Sequence, residues 1–287
     1  MASISDWLEG ARLRTLPASI APVLAGTGAA HELGGLSIPR ALLALGVALA
    51  FQVGVNFAND YSDGVRGTDE VRTGPPRLTG GGLVKPATVK YAAFASFGVG
   101  CLLGIILVAL SGDWWLIIAG ALAVAAGWYY TGGKVPYGYI GLGEVFVFIF
   151  FGLFATLGTT WTQAGRLSTQ AWLVAIGIGL IACAVLMINN IRDAPTDARV
   201  GKMTLAVRLG NRRARVTYVL FITIPIALSI LCAIWSPWCL ATAVLLIPWW
   251  SLSSRALSGR VGRQLIPVLR DTGFLELAYG AILLFAL

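Results

Sequence analysis

Charged side chains are scarce in this 287-residue chain, and acidic ones are the scarcest. Charged residues make up 12% of the chain, with 13 acids against 21 Lys and Arg, whereas hydrophobic residues make up 57%. Together with a mean hydropathy of +0.79, this composition excludes an ordinary soluble domain and is typical of a polytopic membrane protein. Basic loops beside anionic lipid explain most of the net charge of +8, so nothing points to a nucleic acid partner.

Histidine and cysteine are too few to build a nitrogen or sulfur metal site. His31 is the only histidine, and a metal site built on it alone is not expected. The 4 cysteines include no Cys-x-x-Cys pair, so we expect them to be buried as small hydrophobic residues. Any metal ion in this protein would therefore depend on oxygen ligands.

Nine apolar runs are candidates for membrane-spanning helices, each of which needs about 20 apolar residues. They are centred near Val23, Leu45, Cys101, Ile118, Phe150, Ile178, Ile222, Val244 and Ala281. We therefore expect an all-α fold, a polytopic membrane helix bundle of about nine transmembrane helices around a central cavity that opens to the cytoplasmic side. Residues 1–287 are expected to form a single transmembrane domain.

The basic residues predict the orientation of this bundle. Of the 21 Lys and Arg residues, only Arg40 and Arg166 fall in loops on the far side from the rest. Loops rich in Lys and Arg stay in the cytoplasm. We therefore expect a multi-pass protein of the cell membrane whose N-terminus and active site are cytoplasmic and whose C-terminus is outside.

Two clusters of acidic and amide side chains stand out because the chain has so few acids. The first cluster, Asn56, Asp60 and Asp63, closes the second apolar run. Asn56 and Asp60 are four residues apart and share one helix face. The cluster is therefore an oxygen-rich helix end on the cytoplasmic side.

The second cluster, Asn189, Asp193 and Asp197, closes the sixth apolar run. Its members are spaced four residues apart, which puts all three on one face if the helix continues through them. Pro195 lies among them and is predicted to break or kink the helix near Ala194. If the bundle closes, the two clusters face each other across one cytoplasmic mouth.

Carboxylates at the C-terminal end of a helix are unfavourable unless a cation joins them, because the helix dipole is negative there. Carboxylate and amide oxygens suit Mg²⁺, which takes its remaining ligands from water and substrate phosphates. The clusters therefore predict Mg²⁺ and a diphosphate substrate. The basic residues near them that are candidates to bind the diphosphate are Lys134, Arg192, Lys202 and Arg66.

With these residues in view, the chain resembles the intramembrane prenyltransferases of the UbiA superfamily. That superfamily pairs an Asn-x-x-x-Asp-x-x-x-Asp motif with an Asp-x-x-x-Asp motif and a Tyr-x-x-x-Lys loop. Asp193-x-x-x-Asp197 and Tyr130-x-x-x-Lys134 match outright. Asn56-x-x-x-Asp60 matches the start of the first motif, but Gly64 stands at its last position and Asp63 precedes it.

Longer strings resemble the branch of the superfamily that prenylates 1,4-dihydroxy-2-naphthoate in menaquinone biosynthesis. These strings are residues 14–17, 22–26, 59–63, 67–69, 189–193 and 201–210. The resemblance covers nearly the whole chain. It implies that Mg²⁺ polarises a polyprenyl diphosphate, the C1–O bond ionises, and the allylic cation attacks the ring carbon that bears the carboxylate. Carbon dioxide is then lost and demethylmenaquinone results.

The roles of the residues follow from the same resemblance. The residues expected to act in catalysis are Asp60, Asp63, Asp193, Asp197 and Lys134. All six residues of the two clusters are expected to bind the metal ion. The carboxylate of the acceptor is expected to contact Arg14 or Tyr130. The protein is expected to contact membrane lipid, from which the prenyl tail can enter sideways between apolar helices. No protein partner can be inferred.

Three alternatives stay open at this point. The first is a prenyltransferase with another aromatic acceptor, such as 4-hydroxybenzoate. The second is a cation-coupled transporter, which also gathers acids at broken helices, although its site usually lies near the middle of the membrane. The third is a CDP-alcohol phosphotransferase, because residues Asp60 to Gly64 resemble the start of that family's motif. The motif continues with a second Asp pair within about twenty residues, and this chain lacks that pair.

Overall fold

The computed structural model describes residues 2–67 and 77–287, and within them the regular structure is helical throughout. The helices are α1 (Ile4–Ala11), α2 (Pro17–Glu32), α3 (Ile38–Val65), α4 (Pro86–Ser111), α5 (Leu116–Tyr129), α6 (Gly143–Ala164), α7 (Thr169–Arg199), α8 (Leu205–Cys232), α9 (Pro237–Leu257) and α10 (Ile266–Ala286). The prediction of an all-α fold is therefore confirmed.

The apolar runs identified in the sequence fall on helices α2 to α10. Among the described residues, 6 of these helices, namely α3, α4, α6, α7, α8 and α9, are long and apolar enough to cross a membrane, and α5 is apolar but shorter. Large apolar side chains such as Leu102, Ile118 and Ile247 are exposed on the outside of the bundle, as lipid rather than water would allow. Cys101 is also exposed, so its predicted burial is wrong, whereas the other three cysteines are buried.

Helix α7 is the centre of the bundle. Val174, Ile178 and Ile188 along it are fully buried, and they pack against α8 and α10. Its contact with α6 depends on small residues, because a Cβ on Gly152 would lie 2.5 Å from the Cα of Gly179. Such close backbone approach is how helices associate in lipid. It holds the start of α6 beside the last turns of α7.

Helix α7 continues through Pro195, so the predicted break near Ala194 is wrong. Proline removes one backbone hydrogen bond, but other bonds hold the final turns. The hydroxyl of Thr196, for example, donates to the carbonyl of Asp193 at 2.8 Å. The second cluster therefore lies along one face of an unbroken helix.

The bundle has two distinct ends, and the clusters lie at the same one. At the other end, Arg40 donates to the carbonyls of Leu110 and Thr162 at 2.5 and 3.0 Å, and Arg166 donates to that of Leu33 at 3.0 Å. Arg40 is in the first turn of α3, whereas the first cluster occupies its last turns, about 30 Å away along the axis. Arg40 and Arg166, the two basic residues that the sequence assigned to the far side, are thus remote from the clusters.

Candidate active site

Asp60 of the first cluster is engaged with the chain that follows α3. Its carboxylate accepts the backbone N–H groups of Leu78 and Thr79 at 3.0 and 2.8 Å, and only 1% of the residue is exposed. Leu78 is itself buried against Phe57 and α1. Asp60 therefore anchors the segment that returns to α4. The motif residues Thr68 and Asp69, which also belong to this connection, lie outside the described residues.

The two asparagines of this helix end contact different neighbours. Asn56 donates to the carbonyl of Ala11 at 2.9 Å and to the hydroxyl of Thr15 at 3.1 Å. Asn59 accepts a hydrogen bond of 2.8 Å from the hydroxyl of Thr131. Asn56 thus holds the N-terminal segment against α3, and Asn59 faces the loop between α5 and α6.

The second cluster is tied together by Arg192. Its guanidinium donates to both carboxylate oxygens of Asp193, at 2.7 and 2.5 Å, and to the amide oxygen of Asn189 at 2.8 Å. Asp197 pairs instead with Lys202, at 3.5 Å through Oδ1. Its Oδ2 is buried and has no hydrogen-bond partner within the described ranges. Arg192 and Lys202 therefore both lie beside the acids of α7.

Tyr139, which the sequence analysis missed, joins the two clusters. Its phenol donates a hydrogen bond of 2.8 Å to Asp63. The ammonium nitrogen of Lys202 lies 5.4 Å from the centre of the Tyr139 ring. The backbone carbonyl of Tyr139 accepts a hydrogen bond of 2.9 Å from the N–H of Met203. Asp63 of α3 is thereby connected through Tyr139 and Lys202 to Asp197 of α7. The two clusters converge at one end of the bundle.

Two more arginines contact this bridge. The Arg66 guanidinium lies 5.4 Å from the Tyr139 ring centre, and it also donates to the carbonyl of Gly133. Arg77 forms an ion pair with Asp63 at 3.6 Å, with 11% of its side chain exposed. The sequence indicated Arg66 because it follows Asp63, but Arg77 lies 14 positions beyond Asp63 and gave no such signal.

Tyr130 lies near acids of both clusters and near the start of α6. Burial raises the pKa of its phenol, and the negative charges of Glu144, Asp63 and Asp197 add to the rise. Tyr130 is therefore a neutral hydrogen-bond donor near all three carboxylates. Its position agrees with the predicted role in binding the acceptor, which stays a prediction.

The remaining predicted residues are less tightly connected to the clusters. Lys134 is exposed on the loop that carries Gly133, whose carbonyl contacts Arg66. Arg14 is half-exposed and forms its ion pair with Glu9, at 2.6 Å. The structure therefore places Lys134 at the rim of the site and pairs Arg14 outside the clusters.

The oxygen donors of this site fit Mg²⁺ that binds together with a diphosphate. Among the described residues, no group of three His, Cys, Asp or Glu side chains is close enough to hold a metal ion alone. Mg²⁺ commonly uses one or two carboxylates and takes its other ligands from water and phosphate. One carboxylate from each cluster meets that requirement, and the unpartnered Oδ2 of Asp197 is a suitable ligand.

The chain as a whole is similar to known prenyltransferases. Residues 19–264 match the UbiA prenyltransferase family. The 1,4-dihydroxy-2-naphthoate octaprenyltransferase of Mycobacterium tuberculosis is 50% identical over 279 residues, which cover 97% of this chain and 95% of that protein. The protein of the same name from Escherichia coli is 41% identical over 215 residues, or 73% of this chain and 70% of that protein.

The fold is also that of solved structures. A UbiA homolog from Archaeoglobus fulgidus, bound to GPP and Mg²⁺, has a TM-score of 0.70 with this chain. The similarity covers 98% of this chain and 99% of that chain at 15% sequence identity. At this identity the likeness concerns the fold.

Proposed function

Because the chain belongs to the UbiA prenyltransferase family, we propose that it is a Mg²⁺-dependent membrane enzyme of menaquinone biosynthesis. It transfers a polyprenyl group from polyprenyl diphosphate to 1,4-dihydroxy-2-naphthoate and releases carbon dioxide, which gives demethylmenaquinol, the reduced form of demethylmenaquinone. The observation that carries this proposal is the bridge from Asp63 through Tyr139 and Lys202 to Asp197. It brings acids and cations from two distant segments to one site, as a metal-bound diphosphate requires.

The diphosphate end of the donor lies between the clusters in this proposal. Asp63, Asp193 and Asp197 are the carboxylates that hold Mg²⁺, with amide oxygens of Asn56 and Asn189 in support. Asp60, a candidate ligand at the same helix end, also holds residues 78 and 79 in place. When bound, Mg²⁺ supplies positive charge that favours departure of the diphosphate.

The cations of the site hold the diphosphate as it leaves. Lys202 and Arg66 each lie 5.4 Å from the centre of the Tyr139 ring and can pair with phosphate oxygens. Arg192 can exchange its contact with Asp193 for one with the diphosphate, and Lys134 closes the rim. Their charges stabilise the negative charge that develops when the C1–O bond ionises.

The acceptor ring lies on the interior side of the diphosphate, beside Tyr130. The ring carbon that carries the carboxylate bonds to C1 of the allylic cation. The bond to the carboxylate then breaks, carbon dioxide leaves, and its electron pair returns to the ring. Tyr130 or Arg14 holds the acceptor carboxylate before this step.

An aromatic row along α6 supports a path for the prenyl tail. Tyr137 stacks on Phe146 at 4.0 Å, and Phe150 and Phe154 continue the row at 6.3 and 5.3 Å between successive ring centres. Rings at this spacing offer a continuous apolar surface from the site toward the opposite end of the bundle. The tail can lie along it while the diphosphate stays between the clusters.

Membrane topology forms part of the same proposal. Helices α2 to α10 cross the membrane nine times, the central cavity opens to the cytoplasm, and residues 1–287 are one domain. The N-terminus is cytoplasmic because Lys and Arg are concentrated at the end of the bundle that carries the clusters. Lipid-soluble donor and product explain why the site lies in a membrane bundle.

The direct test is to incubate the purified protein with Mg²⁺, a polyprenyl diphosphate and one acceptor at a time, either 1,4-dihydroxy-2-naphthoate or 4-hydroxybenzoate. Mass spectrometry of the lipid products identifies what is formed. We expect a prenylated naphthoquinol that has lost the carboxylate, and no product from 4-hydroxybenzoate. Prenylation of 4-hydroxybenzoate alone, or no prenylation of either acceptor, would contradict the proposal.

A further inference from the structure

Glu144 is a buried carboxyl group that neither cluster uses. It lies in the first turn of α6, and only 4% of the residue is exposed. Its Oε1 accepts a hydrogen bond of 3.1 Å from the amide of Asn190. Its Oε2 is buried and has no hydrogen-bond partner in the described part of the chain. An unpaired oxygen of this kind is costly in an apolar surrounding, so Oε2 is suited to accept a hydrogen bond from a ligand.

Glu144 lies near Tyr130 and the acids of both clusters. Its negative charge acts on the phenol of Tyr130, as do those of Asp63 and Asp197. A Cβ on the preceding residue, Gly143, would lie 3.5 Å from the Tyr130 hydroxyl. Glu144 is therefore close to the residue proposed to contact the acceptor.

The depth of Glu144 follows from its partner on α7. Asn190 precedes Asp193 by three residues, or about 4.5 Å along the helix, on the side toward the middle of the bundle. A ligand group that reaches Oε2 thus lies at the level of Asn189, the innermost residue of the second cluster, and about 4.5 Å further in than Asp193. This is the level at which an aromatic acceptor must meet C1 of the donor.

The two hydroxyl groups of the proposed acceptor differ in what they need from the protein. The hydroxyl at carbon 1 is next to the carboxylate and can donate to it internally. The hydroxyl at carbon 4 has no internal partner and requires an acceptor atom when the ring is buried. A site that offers one buried acceptor also rejects a ligand without the matching donor, because its own oxygen is then left unpaired.

On the basis of the function proposed above, we infer that Oε2 of Glu144 accepts a hydrogen bond from the carbon-4 hydroxyl of the naphthoate. This contact positions the ring and selects dihydroxy acceptors over monohydroxy ones. Asn190 holds the carboxylate in the required orientation through Oε1. Glu144 and Asn190 thus form an acceptor subsite separate from the residues that bind the diphosphate.

The test compares two ligands that differ only in that hydroxyl. The KM for 1,4-dihydroxy-2-naphthoate and the inhibition constant for 1-hydroxy-2-naphthoate are measured in the wild-type protein, in Glu144→Gln and in Glu276→Gln. Glu276 is the matched control because it is equally buried, in α10, and both its oxygens lack a hydrogen-bond partner among described residues. It is not one of the groups whose charge acts on Tyr130.

We expect Glu144→Gln to raise the KM for the dihydroxy substrate about 10- to 100-fold. Asn190 would hold the amide oxygen, so an NH2 group would face the carbon-4 hydroxyl and leave it without its acceptor. The inhibition constant of the monohydroxy ligand and the KM for polyprenyl diphosphate should change less than about threefold, because neither contact is lost. Glu276→Gln should leave all three values near those of the wild type. An unchanged substrate KM in Glu144→Gln, or equal rises for both ring ligands, would overturn the inference.

The wild-type protein separates failure of this inference from failure of the proposed function. If it forms no prenylated naphthoquinol, the proposed function is wrong. If it forms the product but binds both ring ligands equally well, only the role of Glu144 is wrong. This second comparison needs no variant, so it holds even where Glu144→Gln does not fold.

Discussion

The phenol of Tyr139 donates a hydrogen bond of 2.8 Å to the carboxylate of Asp63. The face of the same ring lies 5.4 Å from the ammonium of Lys202, which pairs with Asp197 at 3.5 Å. One side chain in the α5–α6 loop thus fixes the distance between the ends of α3 and α7. The bridge has an acid at each end and Lys202 between them, so a diphosphate placed there meets both Mg²⁺ ligands and a positive side chain.

Removing the hydroxyl of Tyr139 should impair the enzyme without unfolding it. Tyr139→Phe keeps the ring beneath Lys202 but removes the phenol that donates to Asp63, which retains its ion pair with Arg77. We expect kcat/KM for polyprenyl diphosphate to fall about 10- to 100-fold, as for loss of a hydrogen bond to a charged group. Tyr91→Phe is the control, since Tyr91 is 72% exposed on α4. Equal activity in the two variants would contradict the role of the bridge.

The dependence on Mg²⁺ should change when the free oxygen of Asp197 is lost. Asp197→Asn removes the charge that Oδ2 offers to the metal ion. We expect turnover to fall about 100-fold or more, as when a charge-stabilising group is removed, and the Mg²⁺ concentration for half-maximal activity to rise. Asp113→Asn makes the same change in the turn between α4 and α5, at the other end of the bundle, and should have no effect. A wild-type Mg²⁺ titration curve for Asp197→Asn would be inconsistent with metal binding there.

Asp60 should differ from Asp63 because its oxygens are already occupied by backbone donors. In Asp60→Asn, an amide NH2 would face the N–H of Leu78 or Thr79, and a buried donor without an acceptor costs about 1–3 kcal/mol. We expect a lower Tm in detergent and faster hydrogen exchange at residues 78–79. In Asp63→Asn, activity should fall while exchange at these positions stays as in the wild type. The opposite pattern would show that Asp60 does not anchor this segment.

Much of this architecture could be predicted from the sequence because hydrophobicity and spacing are local properties. The apolar runs marked the helices, and the four-residue spacing from Asn189 to Asp197 marked one face of α7. The break expected at Pro195 does not occur, whereas the backbone of α8 departs from helical geometry at Gly210, where φ is 72°. Whether proline ends a helix depends on the contacts of the turns beyond it, which the sequence does not state.

The side chains that connect the clusters could not be predicted in the same way. Tyr139 is 76 positions from Asp63, and only packing of the α5–α6 loop brings them together. The first motif likewise gave no sign that Asp60 would bind backbone N–H groups 18 and 19 positions later. Such contacts depend on where the loops lie over the helix ends. The acids were visible in the sequence, but their individual partners were not.

The contact between α6 and α7 should tolerate no side chain at Gly152. In Gly152→Ala, the new methyl group would lie 2.5 Å from the Cα of Gly179, so the helices must separate. We expect a loss of about 1–3 kcal/mol in the free energy of unfolding, the usual cost of overpacking. Gly158→Ala, in the same helix but with open space at its Cβ, should be neutral. Thermal unfolding in detergent compares them, and equal Tm values would contradict the close approach.

The central claim is that acids from α3 and α7 act on one diphosphate. It is tested most directly by an experimental structure of the protein with Mg²⁺ and a non-reactive polyprenyl diphosphate analogue. We predict a single diphosphate whose Mg²⁺ is coordinated by Asp63 from one side and Asp197 from the other, with Lys202 and Arg66 at its oxygens. A diphosphate bound to only one of the two helices, or at the opposite end of the bundle, would contradict the account.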